Sequence, residues 1–121
     1  MNFLFWNINK KDTFFDLICE LVKENSIGIL MLAEFPEGKQ ESLERMLKLQ
    51  NSSYKYIKPI KEKVKVEVFT SLPRKHLYYV EDGRRFSVLR YHNNGLNKDF
   101  NVILCHLISK VNNEVTTQAF E

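Results

Sequence analysis

The sequence predicts an α/β protein built on mixed β-sheet with flanking helices, and three observations carry that prediction. Two apolar runs, residues 2–8 and 29–33, enclose a helical stripe. Four segments of strand character follow a second helical stretch, separated by turn chemistry. A last apolar run at residues 100–105 precedes the signals of a further helix. Buried strands alternating with helical patterns belong to βαβ architecture, and consecutive short strands belong to antiparallel sheet.

Residues 2–8 are aromatic and apolar on both faces, the mark of a central strand covered twice. Thr13 is placed to cap the next helix, with Asp16 three residues on in a capping-box position. Phe14, Leu17, Ile18, Leu21 and Val22 fall on one helical stripe, and Asn25 and Gly28 bracket the exit. Residues 29–33 form a second buried strand. A crossover of about a dozen residues between two buried strands makes them parallel. Residues 41–50 read as a second helix with Leu43, Met46 and Leu47 inward. Residues 54–58 make a short strand. Val64, Val66 and Val68 alternate with Lys65 and Glu67, which predicts a strand with one wet face. Residues 76–80 and 84–91 flank Glu81-Asp82-Gly83, a hairpin signal, and Asn93-Asn94-Gly95 marks another turn. Residues 100–105 are again apolar on both faces. Asn112 then caps a last helix, with Glu114 in its first turn. Two full helices cover one face of such a sheet, so the pattern reads as unfinished, with an apolar face left without cover.

Composition narrows the class. Hydrophobic residues make up 44% and charged residues 27%, the balance of a soluble globular chain rather than a disordered or fibrous one. No apolar run approaches the roughly 20 residues needed to span a bilayer. The apolar start at residues 1–6 has no basic region before it, so it is not a secretory signal. Cys19 and Cys105 have no partner at metal-ligand spacing, which predicts two reduced, buried thiols and a cytoplasmic protein. The net charge of +3 is uneven: ten basic residues face four acidic ones between Lys55 and Arg90. That stretch suits a polyanion such as nucleic acid, but on charge alone a set of solvated strand faces is the simpler reading.

Three apolar runs end abruptly in a polar side chain: Asn7, Glu34 and His106. In open α/β sheets, ligands gather outside the carboxyl ends of strands. If these strands are neighbours, an amide, a carboxylate and an imidazole meet on one rim. A carboxylate oxygen holds a hard cation such as Mg²⁺. An amide orients a carboxylate or a water, and an imidazole stabilises charge on phosphoryl oxygens. Singly, Asn7 reads first as a turn former, Glu34 as a surface carboxylate and His106 as a strand-end histidine; the joint pattern is more specific.

Taken together, the segments Phe5-Trp6-Asn7-Ile8-Asn9, Leu30-Met31-Leu32-Ala33-Glu34 and Val102-Ile103-Leu104-Cys105-His106-Leu107 with Ser109-Lys110 resemble three motifs of the endonuclease/exonuclease/phosphatase family. The resemblance runs over the whole chain but only over the N-terminal half of that family's domain. It implies a four-layer α/β sandwich, incomplete in this chain, with two packed sheets and helices outside. It implies Mg²⁺ (or Mn²⁺) as cofactor, with Glu34 as metal ligand. It places Asn7 in the hydrogen-bond network beside the metal and His106 on the scissile phosphate. Ser109 falls where some members contact phosphate, and Asn9 where some carry an aspartate for a second metal position.

The chain departs from the family in several places. Ala33 stands where many of its nucleases have Gln, and Phe35-Pro36 where some have Lys. The Asp-x-Asn and closing Asp-His elements, which supply the base and a second histidine, do not occur after His106. His76 and His92 come too early and lack the preceding Asp, so they read as exposed strand or turn histidines. The resemblance implies Mg²⁺-dependent phosphodiester hydrolysis in a complete protein, with this chain alone inactive. The alternative is a truncated, non-catalytic module that binds nucleic acid or a partner. A complementing chain or self-association is a further option, and DNA, RNA, phospholipid and inositol phosphate all stay open as substrates.

Overall fold

Alternation along one strand organises the molecule. In the computed structural model, which describes residues 1–60, 66–83 and 86–105, the segment Ile27–Ala33 (β2) is buried at every position. Leu30 and Leu32 point into one apolar cluster, and Ile29, Met31 and Ala33 into another. A strand covered on both faces sits between layers, which is why its sequence is a continuous apolar run.

The first layer is helical. A 3-10 turn at Asp12–Phe14 runs into α1 (Phe15–Glu24), and α2 is Gln40–Gln50. Phe15, Ile18 and Val22 of α1 and Leu43 and Leu47 of α2 are buried against Leu30, Leu32 and Phe69. The expected Thr13 cap does not form. The 3-10 turn moves the N-cap to Phe14, which makes no side-chain capping bond, and it rotates the stripe. Phe15 is therefore buried, while Leu17 is 42% exposed.

The second layer is a four-stranded sheet in the order β1-β2-β4-β3, where β1 is Asn2–Asn7, β3 Lys55–Ile57 and β4 Val66–Thr70. β1 and β2 are parallel, as the βαβ spacing predicts, and β4 runs antiparallel to β2 and β3. The third layer is the meander β5-β6-β7, formed by Leu77–Asp82, Phe86–Asn93 and Lys98–Cys105. Its inward residues Leu77, Leu89, Tyr91 and Leu104 pack on Ile29, Met31, Val66 and Val68. The described architecture is thus helices, mixed sheet and antiparallel sheet, three layers in that order.

Two strands differ from expectation. Within Val66–Thr70 no residue is fully exposed: Val66 and Val68 face the second sheet, Phe69 faces the helices, and Glu67 is only half-exposed, while Val64 and Lys65 lie outside the described residues. The Glu67 carboxylate is held on that crowded face by Tyr56 Oη (2.5 Å) and Gln40 Nε2 (3.1 Å). β1 is an edge strand rather than a central one, so Phe3 and Phe5 stay 45% and 53% exposed. Leu4 and Trp6, on its other side, pack on the helical core. Among the described residues, the outward face of the second sheet also carries exposed Phe86 and Ile103. Cys105 is exposed there too, contrary to the buried thiol the sequence suggests. Cys19 is half-buried, and burial, then the Asp16 carboxylate, push its thiol pKa up.

Tyr54 ties the layers together at the start of β2. It is buried, and its hydroxyl donates to the Ile27 carbonyl. Replacing Tyr54 by Phe leaves that carbonyl without its partner, and we expect a loss of about 1–3 kcal/mol in unfolding free energy by urea titration. Burial also pushes the Tyr54 pKa up from the usual 10.0 of a tyrosine to about 12. The folded state then holds a proton that the unfolded state releases. Its contribution is fully present below pH 10 and lost as pH rises towards about 12. Urea midpoints measured across that window should fall, and the fall should be shallower in the Tyr54→Phe variant.

Candidate active site

The parallel register of β1 and β2 pairs Asn7 with Ala33, so Glu34 is the first residue beyond the last rung. Asn7 is exposed and Glu34 half-exposed at that carboxyl-end rim. Asn7 Nδ2 donates to Glu34 Oε2 at 3.1 Å. The Asn7 carbonyl oxygen, Oδ1, accepts from the Asn9 backbone N–H at 3.0 Å, an Asx-type turn that fixes the amide plane. One side chain is therefore held at both ends, and it aims its N–H groups at the carboxylate.

The backbone reinforces the pair. Ile8 N–H donates to Ala33 O at 3.0 Å, Lys10 N–H to Glu34 O at 2.6 Å, and Lys11 N–H to Ile8 O at 3.0 Å. The chain leaving β1 is thus laced onto the chain leaving β2. Three residues of this lacing adopt left-handed backbone: Asn9 (φ 53°), Lys10 (φ 59°) and Glu34 (φ 51°). Asparagine tolerates this conformation, but it costs other L-residues about 1–2 kcal/mol. Strained non-glycine residues gather where a rigid surround holds a functional side chain in place.

Chemically, the rim offers one carboxylate with Oε2 engaged by an amide. Among the described residues no donor reaches Oε1. Mg²⁺ keeps several waters and commonly takes only one or two protein carboxylates together with substrate phosphate oxygens. A single oriented carboxylate fits that habit. It does not fit a closed all-protein cage, and among the described residues no group of three or more His, Cys, Asp or Glu side chains forms one.

The structure brings together Asn7, Glu34 and the backbone of Asn9. His106 and Ser109 lie outside the described residues. The strand that leads to His106, β7, is not a neighbour of β1 and β2 within their sheet; it is an edge of the second sheet. Its Phe100 ring lies 5.8 Å from the Phe3 ring of β1, so the two edges meet across the sandwich. His76, in the turn before β5, and His92, in β6, are half-buried and do not sit on this rim. His76 sits edge-on to Tyr91 at 6.2 Å, and His92 Nδ1 lies 3.6 Å from Asp99 Oδ1.

Sequence reasoning missed Lys10, whose backbone N–H binds the Glu34 carbonyl. A signal was available: the run Asn7-Ile8-Asn9 places two residues tolerant of tight turns just after a strand. No family model matches the chain, and no curated protein or solved structure matches it either.

Lys10 makes the strain testable, because only its backbone enters the lacing. Lys10→Gly keeps the N–H and removes the Cβ penalty at φ 59°. We expect it to raise unfolding free energy by about 0.5–1 kcal/mol, read by urea titration.

Proposed function

We propose that this chain carries the cation-binding half of a Mg²⁺-dependent phosphodiesterase of the endonuclease/exonuclease/phosphatase type. The observation that supports this most directly is the Asn7 Nδ2 to Glu34 Oε2 hydrogen bond of 3.1 Å at the carboxyl ends of adjacent parallel strands. Ligand chemistry in open α/β sheets gathers at such ends. A carboxylate fixed in this way serves a cation better than a freely rotating one, because its orientation entropy is lost during folding rather than on binding.

In this proposal Glu34 presents Oε1 to Mg²⁺ (or Mn²⁺), and Asn7 holds the carboxylate plane. The bound cation would supply Lewis-acid neutralisation of phosphoryl charge and a template for the substrate. His106 would donate a hydrogen bond to a non-bridging phosphate oxygen as negative charge develops there. Asn9 and Ser109 would contact the phosphodiester, with Asn9 nearest the cation. The basic stretch between Lys55 and Arg90 favours a nucleic acid over a lipid as the phosphodiester.

The 121 residues contain no Asp-x-Asn or Asp-His element after His106. Within the resemblance those elements supply the base that activates water and a second oxyanion donor. One such donor is worth roughly 3–4 kcal/mol. We therefore expect the purified chain to bind the cation yet show no Mg²⁺-dependent turnover of DNA, RNA or lipid phosphodiesters.

Mn²⁺ titration followed by paramagnetic broadening of amide NMR signals tests the binding directly. Broadening should centre on residues 7–10 and 33–35. Glu34→Gln should weaken it at least about tenfold, as expected when a charged oxygen ligand is lost. Broadening centred elsewhere, or unchanged in Glu34→Gln, would sink the proposal.

A further inference from the structure

Four strands form the edges of the two sheets: β1 and β3 in the first, β5 and β7 in the second. An edge strand presents unpaired backbone N–H and C=O groups. Proteins keep such edges from pairing by shortness, charge, proline or bulges. β3 and β5 carry these devices. β3 is three residues long, begins at Lys55 and is followed by Lys58. β5 has a register break between Tyr79 and Glu81 and ends in Glu81-Asp82.

From Phe100 onward, β7 carries none of them. It is eight residues long and pairs with β6 one to one along its whole length. Residues 100–105 include no charge and no proline. Its two charges stand at its first two positions, and Asp99 lies towards β6, 3.6 Å from His92 Nδ1. β1, which is uncharged from Asn2 to Asn7, lies on the same side of the sandwich, with the Phe3 ring 5.8 Å from the Phe100 ring.

The apolar interior is open along this same edge. Phe100, Val102 and Leu104 of β7 turn inward onto the core between the sheets. Leu104 is buried, but Phe100 and Val102 are only half-buried. Phe3 and Phe5, on the side of β1 away from the helices, are exposed beside them. A free backbone edge and an apolar strip therefore coincide. Another strand satisfies both when it adds edge to edge and brings apolar side chains at every second position.

β7 itself has that pattern, so the edge is complementary to its own copy. Residues directly opposite each other in an antiparallel pair point to the same face. A two-fold axis relating two copies of one strand must then pass at a residue that faces itself. With the axis at Val102, Phe100 lies opposite Leu104 of the second copy, Asn101 opposite Ile103, and Asp99 opposite the uncharged Cys105. An axis at Asn101 would set Lys98 against Leu104 and Asp99 against Ile103. An axis at Ile103 would limit the overlap to residues 101–105.

We propose that two copies of this chain pair through β7, antiparallel about a two-fold axis at Val102, which joins two three-stranded sheets into one of six. Phe3 and Phe5 are covered at the seam. Pairing consumes the β7 edge of both copies, so assembly closes at the dimer. The pairing does not rest on the cation reading of Glu34.

Sedimentation equilibrium of the purified chain up to about 200 μM, a range that detects dissociation constants in the micromolar region, should reach twice the chain mass of 14.4 kDa. Hydrogen exchange should show amides of residues 100–104 protected in the dimer. In dimers mixed from labelled and unlabelled chains, nuclear Overhauser effects should join Phe100 to Leu104 between copies. Val102→Lys places two ammonium groups on the axis and should weaken the dimer at least about a hundredfold. Phe5→Lys, at a position already exposed, should weaken it at least about tenfold, with near-UV circular dichroism confirming that each variant is folded. Tyr78→Lys, on the opposite edge, and Glu34→Gln should dimerise as the natural chain does, so loss of cation binding leaves the seam intact. A monomer throughout the range overturns the proposal. So does open-ended growth, a dimer whose protection lies outside β7, or natural affinity in a folded Phe5→Lys or Val102→Lys chain.

Discussion

The parallel pairing of β1 with β2 is the constraint on which the rest of the molecule depends. It sets Asn7 opposite Ala33 and therefore beside Glu34. A one-residue slip would turn every β2 side chain to the opposite layer. Such a slip is excluded because β2 is read on both faces at once: Leu30 and Leu32 fill the space under the helices, and Ile29 and Met31 fill the space between the sheets. The two apolar clusters thus lock the register that delivers an amide to a carboxylate. Packing specifies the rim, and the hydrogen bonds at the rim only complete it.

Much of this was legible in the sequence because it follows from periodicity. The apolar run at residues 29–33 reports burial on two faces, and the helical stripe before it forces a parallel partner. The polar residues that end the runs at Asn7 and Glu34 mark the rim. What could not be read has a common cause, that neighbours rather than local pattern decide it. β1 has the composition of a central strand, yet it lies at an edge, and Phe3 and Phe5 remain exposed. Val66-Glu67-Val68 alternates like a half-wet strand, yet Tyr56 and Gln40 come from distant segments to satisfy Glu67 on a covered face. The Thr13 cap failed because a 3-10 turn began first, and α1 then started one residue later than a cap at Thr13 requires. The left-handed backbone of Glu34 has no signature in residue type, since glutamate rarely adopts it.

The rim at Asn7 and Glu34 is polar and laced by backbone hydrogen bonds, suited to a hydrated cation. A cleft between β3 and β5 includes Lys55, Lys58 and Arg74 in its lining. Strand alternation turns Tyr56 toward the helices and Ile57 toward the second sheet, and Lys58, just past the end of this edge strand, is exposed. Of the basic middle segment, Lys55, Lys58 and Arg74 gather on one edge of the sandwich.

The central claim is that Glu34, held by Asn7, is the cation ligand. Crystals of the chain soaked in Mn²⁺ and measured at a wavelength where manganese scatters anomalously address it most directly. The account predicts an anomalous peak about 2.0–2.2 Å from Glu34 Oε1, on the assumption that Mn²⁺ follows the short oxygen distances of Mg²⁺, with the Asn7 amide still on Oε2. A soaked crystal with no peak at Glu34, or with Asn7 turned away from the carboxylate, would contradict it.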